Sequence, residues 1–78
     1  MKTTFLTSNQ ITGMAEAALA SFEMTASWKA ASAAAAEYAA DELGVRATGA
    51  QIATAMRKAQ VGWTAIVYHT KQELEVAQ

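Results

Sequence analysis

A run of alanines in the middle of the chain, within KAASAAAAEYAADELG at 29–44, is the feature that most limits what this protein can fold into. Alanine has the highest helix propensity of the amino acids and a side chain too small to hold two helices apart. The chain contains no proline, so nothing in its composition prevents long helices from forming. The run therefore predicts a helix that packs closely against a neighbour.

The size of the chain and its lack of cysteine restrict the class of protein. With 78 residues there is room for one hydrophobic core, so we expect a single domain, 1–78. The absence of cysteine excludes disulfides, thiolate zinc sites and cysteine nucleophiles together. Small secreted domains usually depend on disulfides, and charged residues interrupt every long apolar run. The opening MKTTFLTSNQ also lacks the apolar run of a signal peptide. These features predict a cytoplasmic protein with no membrane segment.

Capping residues and apolar spacing predict about three helices, near 8–25, 27–43 and 48–60. In the first helix the apolar residues from Ile11 to Phe22 share one stripe. Met24 and Trp28 fall roughly a third of a turn away from that stripe. Either one long helix buries two sides, or the helix breaks near 25–27, and we favour the break. Gly44 is expected to end the second helix.

The third helix has a clear start, but its end is ambiguous. Thr48 and Gln51 have capping-box spacing, and an apolar stripe follows at Ile52, Met56, Ala59 and Trp63. From residue 61 onward, VGWTAIVYHT is rich in residues typical of strands. We predict a mainly α fold of the α+β class, with a small β element from segments 2–7 and 62–77. The alternative is an all-α helical bundle, in which Ile66, Thr70 and Leu74 continue the stripe.

The charge of the chain argues against some partners. The formal net charge is −1, whereas nucleic-acid binders normally carry a basic excess. Residues 1–45 hold two basic and five acidic residues, and residues 46–78 hold four basic and two acidic residues. This mild polarity is typical of an ordinary solvated surface, so nucleic acid is not the favoured partner.

One stretch nevertheless resembles a DNA-binding motif. In AADELGVRATGAQIATAMRKA, residues 39–59, an alanine four residues before Gly44 and the valine after it match the helix-turn-helix pattern. Ala50 stands where that pattern has a branched apolar residue, and Ile52 follows two positions later. The resemblance implies a DNA-binding regulator of helix-turn-helix or winged-helix type. Its DNA contacts would be Arg46, Gln51, Thr54, Arg57 and Lys58.

Catalytic and metal-binding residue sets are missing from the sequence. His69 is the only histidine, and no second ligand stands three or four residues from it. Glu37 and Asp41 form an acidic pair on one helix face, but one short helix supplies too few oxygens for a firm cation site. The glycines are scattered and form no phosphate loop. We therefore expect no enzymatic activity, no cofactor and no metal.

The aromatic residues and the alanine-rich face favour protein binding. Exposed tryptophan, tyrosine and methionine are enriched in interfaces, and Met24, Trp28 and Tyr38 are the candidate interface residues. We expect a small non-enzymatic protein-binding module that occludes a surface of another protein. Its size and style are like those of phage or mobile-element accessory proteins that inhibit host machinery, anti-CRISPR proteins among them. A homo-oligomeric helical scaffold is a further alternative, and we expect a homodimer or a larger partner complex.

Overall fold

The computed structural model describes the backbone of residues 5–76 and the side chains of residues 5–72. Over this part the chain forms three α-helices: α1 at Ser8–Thr25, α2 at Trp28–Glu42 and α3 at Gly49–Val76. Helix α1 packs against both of the others, while α2 and α3 contact each other less. The two helices predicted near 8–25 and 27–43 are confirmed. The third begins within a residue of the predicted start and is much longer than predicted.

The predicted break between the first two helices is confirmed, and its cause is local. Ala26 takes a left-handed conformation with φ of 56°, which ends α1. Ser27 then caps α2, because its hydroxyl accepts a hydrogen bond from the Ala30 amide at 3.2 Å. The left-handed Ala26 and the capping Ser27 together make a two-residue turn that reverses the direction of the chain. Helix α2 can therefore fold back along α1.

Capping boxes begin the other two helices. Thr7 and Gln10 exchange side-chain and backbone hydrogen bonds at the start of α1. Thr48 and Gln51 do the same at the start of α3, at 2.9 and 3.1 Å. Gly44, with φ of 66°, makes the left-handed turn that leads the chain out of α2. Gly44 and the Thr48–Gln51 capping box therefore occupy the positions predicted from the sequence.

The predicted small β element is wrong where the structure describes it. Residues 5–7 form no strand, and α3 continues without interruption from 62 to 76. Residues 2–4 and residue 77 of the predicted element lie outside the described part. Gly62 does not break the helix. It lies next to α1, and an added Cβ there would be 3.7 Å from the Leu19 side chain. A helix already begun at a cap and held against α1 extends at little cost. Docking therefore outweighs β propensity, and the all-α alternative fits.

The core is built largely from alanine. Among the described residues ten hydrophobic side chains are buried, and seven of these are alanines. Ala31, Ala35 and Ala39 recur every four residues on α2 and are fully buried. They share the core with the fully buried Met14 and Ala18 of α1. The alanine-rich run is thus a close-packing face, as predicted, and the chain uses that face inside its own core.

Gly13 of α1 provides a second close approach. A Cβ at position 13 would lie 2.5 Å from the hydroxyl oxygen of Tyr38 and 2.9 Å from its Cζ. Real side chains do not tolerate such distances, so the Tyr38 ring rests directly on the glycine backbone. Tyr38 is therefore half-buried against α1.

Alanine substitution of two helical glycines should separate packing from helix propensity. Gly62→Ala should raise the free energy of unfolding by about 0.5–1 kcal/mol, because the new methyl makes ordinary contact with Leu19. Gly13→Ala brings the same propensity gain but displaces Tyr38, so it should be less stable than Gly62→Ala by about 1–3 kcal/mol. Urea denaturation followed by circular dichroism measures both. Equal stabilisation by the two changes would show that Tyr38 does not rest on Gly13.

Candidate protein-binding surfaces of helix α3

Helix α3 extends past the end of the bundle that the other helices form. The Trp63 ring meets Phe22, near the end of α1, with ring centroids 5.1 Å apart. From Trp63 the helix runs on to Val76, about 20 Å further along its axis. Every described residue from Thr64 to Gln72 is exposed. From Thr64 to Gln72, α3 is therefore a helix whose side chains are not covered by any other described part of the chain.

Apolar side chains line this free half on two sides. The inner stripe, on the side that faces the bundle earlier in α3, consists of Trp63, Ile66, Val67 and Thr70, with Lys71 at its edge. Ile66 and Val67 are 42% and 47% exposed. The outer stripe, on the side turned away from the bundle, consists of Arg57, Val61, Thr64 and Tyr68.

The outer stripe is exposed along its whole length. Val61 is 71% exposed and Tyr68 is 59% exposed. The Tyr68 hydroxyl accepts a hydrogen bond from the Gln72 amide at 2.8 Å, within the same helix. Both stripes are convex faces of a single helix, whereas small-molecule sites are concave. Surfaces of this shape suit a groove or another helix on a macromolecule.

The three interface residues predicted from the sequence lie in different places. Met24 is 88% exposed on the last turn of α1. Trp28, the first residue of α2, packs inward and stacks on Phe22, with ring centroids 3.8 Å apart and planes 11° apart. Tyr38 covers Gly13. The structure therefore does not join Met24, Trp28 and Tyr38 into one surface, and Trp28 belongs to an aromatic cluster with Phe22 and Trp63.

The residues expected to contact DNA are also separated. The Lys58 ammonium reaches α1, 3.4 Å from the Thr12 hydroxyl and 3.5 Å from that of Ser8. Arg57 instead donates to the Thr54 hydroxyl at 3.3 Å on the outer side of α3. The Gln51 side chain takes part in the helix cap, and Arg46 is exposed in the linker before α3. These five residues do not form one continuous basic face.

The polar residues considered for catalysis or metal binding lie on the surface. His69 is exposed, and its ring lies edge-on to Tyr68 at 6.0 Å. Glu37 and Asp41 are both exposed on α2. Within residues 5–72, no group of three potential metal ligands comes together, and no buried side-chain nitrogen or oxygen lacks a hydrogen-bond partner.

The exposed apolar residues of α3 were missed in the sequence because they were assigned to a strand. Val61, Ile66, Val67 and Tyr68 are β-branched or aromatic, which favours that assignment. A helical reading of the same residues places them on two stripes of one helix. The signal that could have revealed them is the continuation of the apolar stripe of α3 past Trp63, at Ile66 and Thr70.

Two further observations concern the chain as a whole. In the part that the structure describes, no helix combines the length and apolar character needed to cross a bilayer. No protein-family model, curated protein sequence or solved structure matches the chain.

Substitution of Trp28 should destabilise the fold, whereas substitution of Met24 should leave its stability nearly unchanged. Trp28→Ala removes a half-buried ring from the stack on Phe22 and should lower the free energy of unfolding by about 2–4 kcal/mol. Met24→Ala removes an exposed side chain and should change it by less than about 0.5 kcal/mol. Thermal and urea unfolding of the two variants provide the measurement. A neutral Trp28→Ala would contradict the placement of this ring in the aromatic cluster.

Proposed function

We propose that this protein is a small non-enzymatic protein-binding module, and that its partner docks on the inner stripe of α3 beyond the bundle. The observation that carries the proposal is the exposure of Ile66 and Val67 on a stripe whose earlier members pack against α1 and α2. A contiguous apolar surface of this kind is typical of an interaction site.

The spacing of the inner stripe matches a known mode of recognition. Its residues stand at i, i+3, i+4 and i+7: Trp63, Ile66, Val67 and Thr70. An amphipathic helix inserts its side chains into an apolar groove at this spacing. Complete burial of a valine or isoleucine side chain contributes about 1.5–3 kcal/mol. Trp63 joins the stripe to the bundle, because its ring packs edge-on against Phe22, which in turn stacks on Trp28. A partner groove would therefore find two aliphatic anchors beside fixed aromatic rings.

Binding of this type needs no chemistry from the module itself. A protein that covers a surface on its target blocks that surface by shape and apolar contact alone. By analogy of size and style, we propose that it acts as an accessory protein, of phage or mobile-element type, that inhibits host machinery by occlusion in the manner of anti-CRISPR proteins.

Two valines on α3 allow a matched test of the partner site. Val67→Asp and Val61→Asp are the same chemical change on one helix, at exposed positions about a third of a turn apart. Capture from host extract with the immobilised chain identifies the target, and calorimetry with the purified target gives its affinity. Val67→Asp should weaken binding by at least about tenfold, and Val61→Asp should leave it near the wild-type value. Equal effects of the two variants would contradict docking on the inner stripe.

The alternative function, a DNA-binding regulator, has its own test. Arg57 and Arg46 are exposed and available to phosphate, but Lys58 is engaged by α1. We expect no shift of mixed-sequence duplex DNA in a gel at low salt, because affinity for DNA depends on several phosphate contacts made together. A shift that disappears with salt and with Arg57→Ala would instead support the DNA-binding alternative.

A further inference from the structure

A lysine lies at the edge of the inner stripe of α3. Trp63, Val67 and Lys71 stand four residues apart, so they follow one another along one side of the helix, about 6 Å per step. Lys71 borders the same apolar surface as Trp63 and Val67, and its side chain is exposed. A partner surface that covers Val67 therefore also reaches Lys71.

The charged side chains that the structure describes on α3 are all basic. From Gly49 to Gln72 the helix contains Arg57, Lys58 and Lys71, and it contains neither aspartate nor glutamate. Arg57 donates to the Thr54 hydroxyl within α3, and the Lys58 ammonium lies near two hydroxyls of α1. Lys71 has no hydrogen bond or ion pair with another described side chain. It is therefore the cation that a partner can engage beside the inner stripe.

Burial of Val67 under a partner changes the surroundings of the Lys71 ammonium. The lysine stem can lie along apolar surface while its ammonium stays in water. A partner that buries Val67, one turn away, displaces part of that water, and an ammonium removed from water without a compensating group costs free energy. A carboxylate within hydrogen-bond distance offsets this cost. Such a pair also fixes the direction in which the partner lies on the stripe.

We propose that the partner of the inner stripe presents an apolar groove with an acidic edge, and that an aspartate or glutamate of this edge pairs with Lys71. The inference rests on the proposed function and adds the chemistry of the partner to it. The absence of acidic residues between Gly49 and Gln72 favours an acidic edge, because no carboxylate of this stretch repels it.

Zero-length crosslinking detects the pair directly. The full chain is bound to the protein that it captures from host extract, and a carbodiimide then joins amines to carboxylates that are in contact. Mass spectrometry of the product should find Lys71 joined to an aspartate or glutamate of the captured protein. Capture that is lost in Val67→Asp, but with no crosslink from Lys71 in the wild type, would overturn the acidic edge and leave the partner site intact. Capture that Val67→Asp does not weaken would contradict the partner site, and the acidic edge with it.

The affinity of the captured protein for two lysine variants measures what the charge contributes. Lys71→Met keeps a long apolar side chain and removes the charge, so it should weaken binding by about three- to tenfold at low salt. The difference from the wild type should shrink as salt is added. Lys58→Met makes the same change on another face of α3 and should leave the affinity near the wild-type value. Unchanged binding by Lys71→Met would overturn the pairing, and circular dichroism of each variant shows that the helices are intact.

The opposite control uses the two acids that follow Lys71 in the sequence, Glu73 and Glu75. Glu73→Gln combined with Glu75→Gln removes two negative charges from the last turns of α3. An acidic partner edge should bind this variant at least as well as the wild type, because repulsion between like charges is reduced. Weaker binding after loss of the two acids would indicate a basic edge on the partner and overturn the inference.

Discussion

The packing of α1 against α2, in which the buried side chains of α2 are all alanines, is the interaction on which the rest of this structure depends. Ala31, Ala35 and Ala39 present a smooth face every four residues, and the core they enter from α2 contains Ala18 of α1. Such a face buries little apolar area per residue, so it stabilises the fold mainly through dense van der Waals contact between the helices. The larger apolar rings are placed at the end of the bundle, where Phe22, Trp28 and Trp63 pack together.

A core made from small residues has a consequence for the surface. Leu6, Ile11 and Met14 are the larger buried side chains, and partly buried apolar side chains pack around the alanines to complete the bundle. Val61, Ile66, Val67 and Tyr68 stand on the part of α3 that the core does not use. Exposure of this kind weakens solubility without adding stability. These exposed side chains include the anchors on which we propose that a partner docks.

The sequence predicted most of the fold through its local signals. The capping residues at 7, 27 and 48 and the turn at Gly44 act on their immediate neighbours, so they can be read without knowledge of tertiary contacts. The segment from Val61 could not be read in this way. Its β-branched and aromatic residues favour a strand, but they continue α3 because the preceding turns of α3 pack on α1. That packing is a tertiary contact, which local sequence signals do not show. The surfaces on α3 were lost with that assignment, and the inward stacking of Trp28 depended on a ring contact that spacing does not show.

The two stripes of α3 differ in the apolar surface that they offer a partner. On the inner stripe, Trp63, Ile66 and Val67 stand at i, i+3 and i+4, and Trp63 also packs on Phe22 of α1. On the outer stripe, Val61 and Tyr68 are the large apolar side chains, and they alternate with the polar Arg57 and Thr64. A helix that docks in a groove gains its binding free energy mainly from adjacent apolar anchors. We therefore propose the inner stripe as the partner site, because the bundle holds one end of its apolar surface in place.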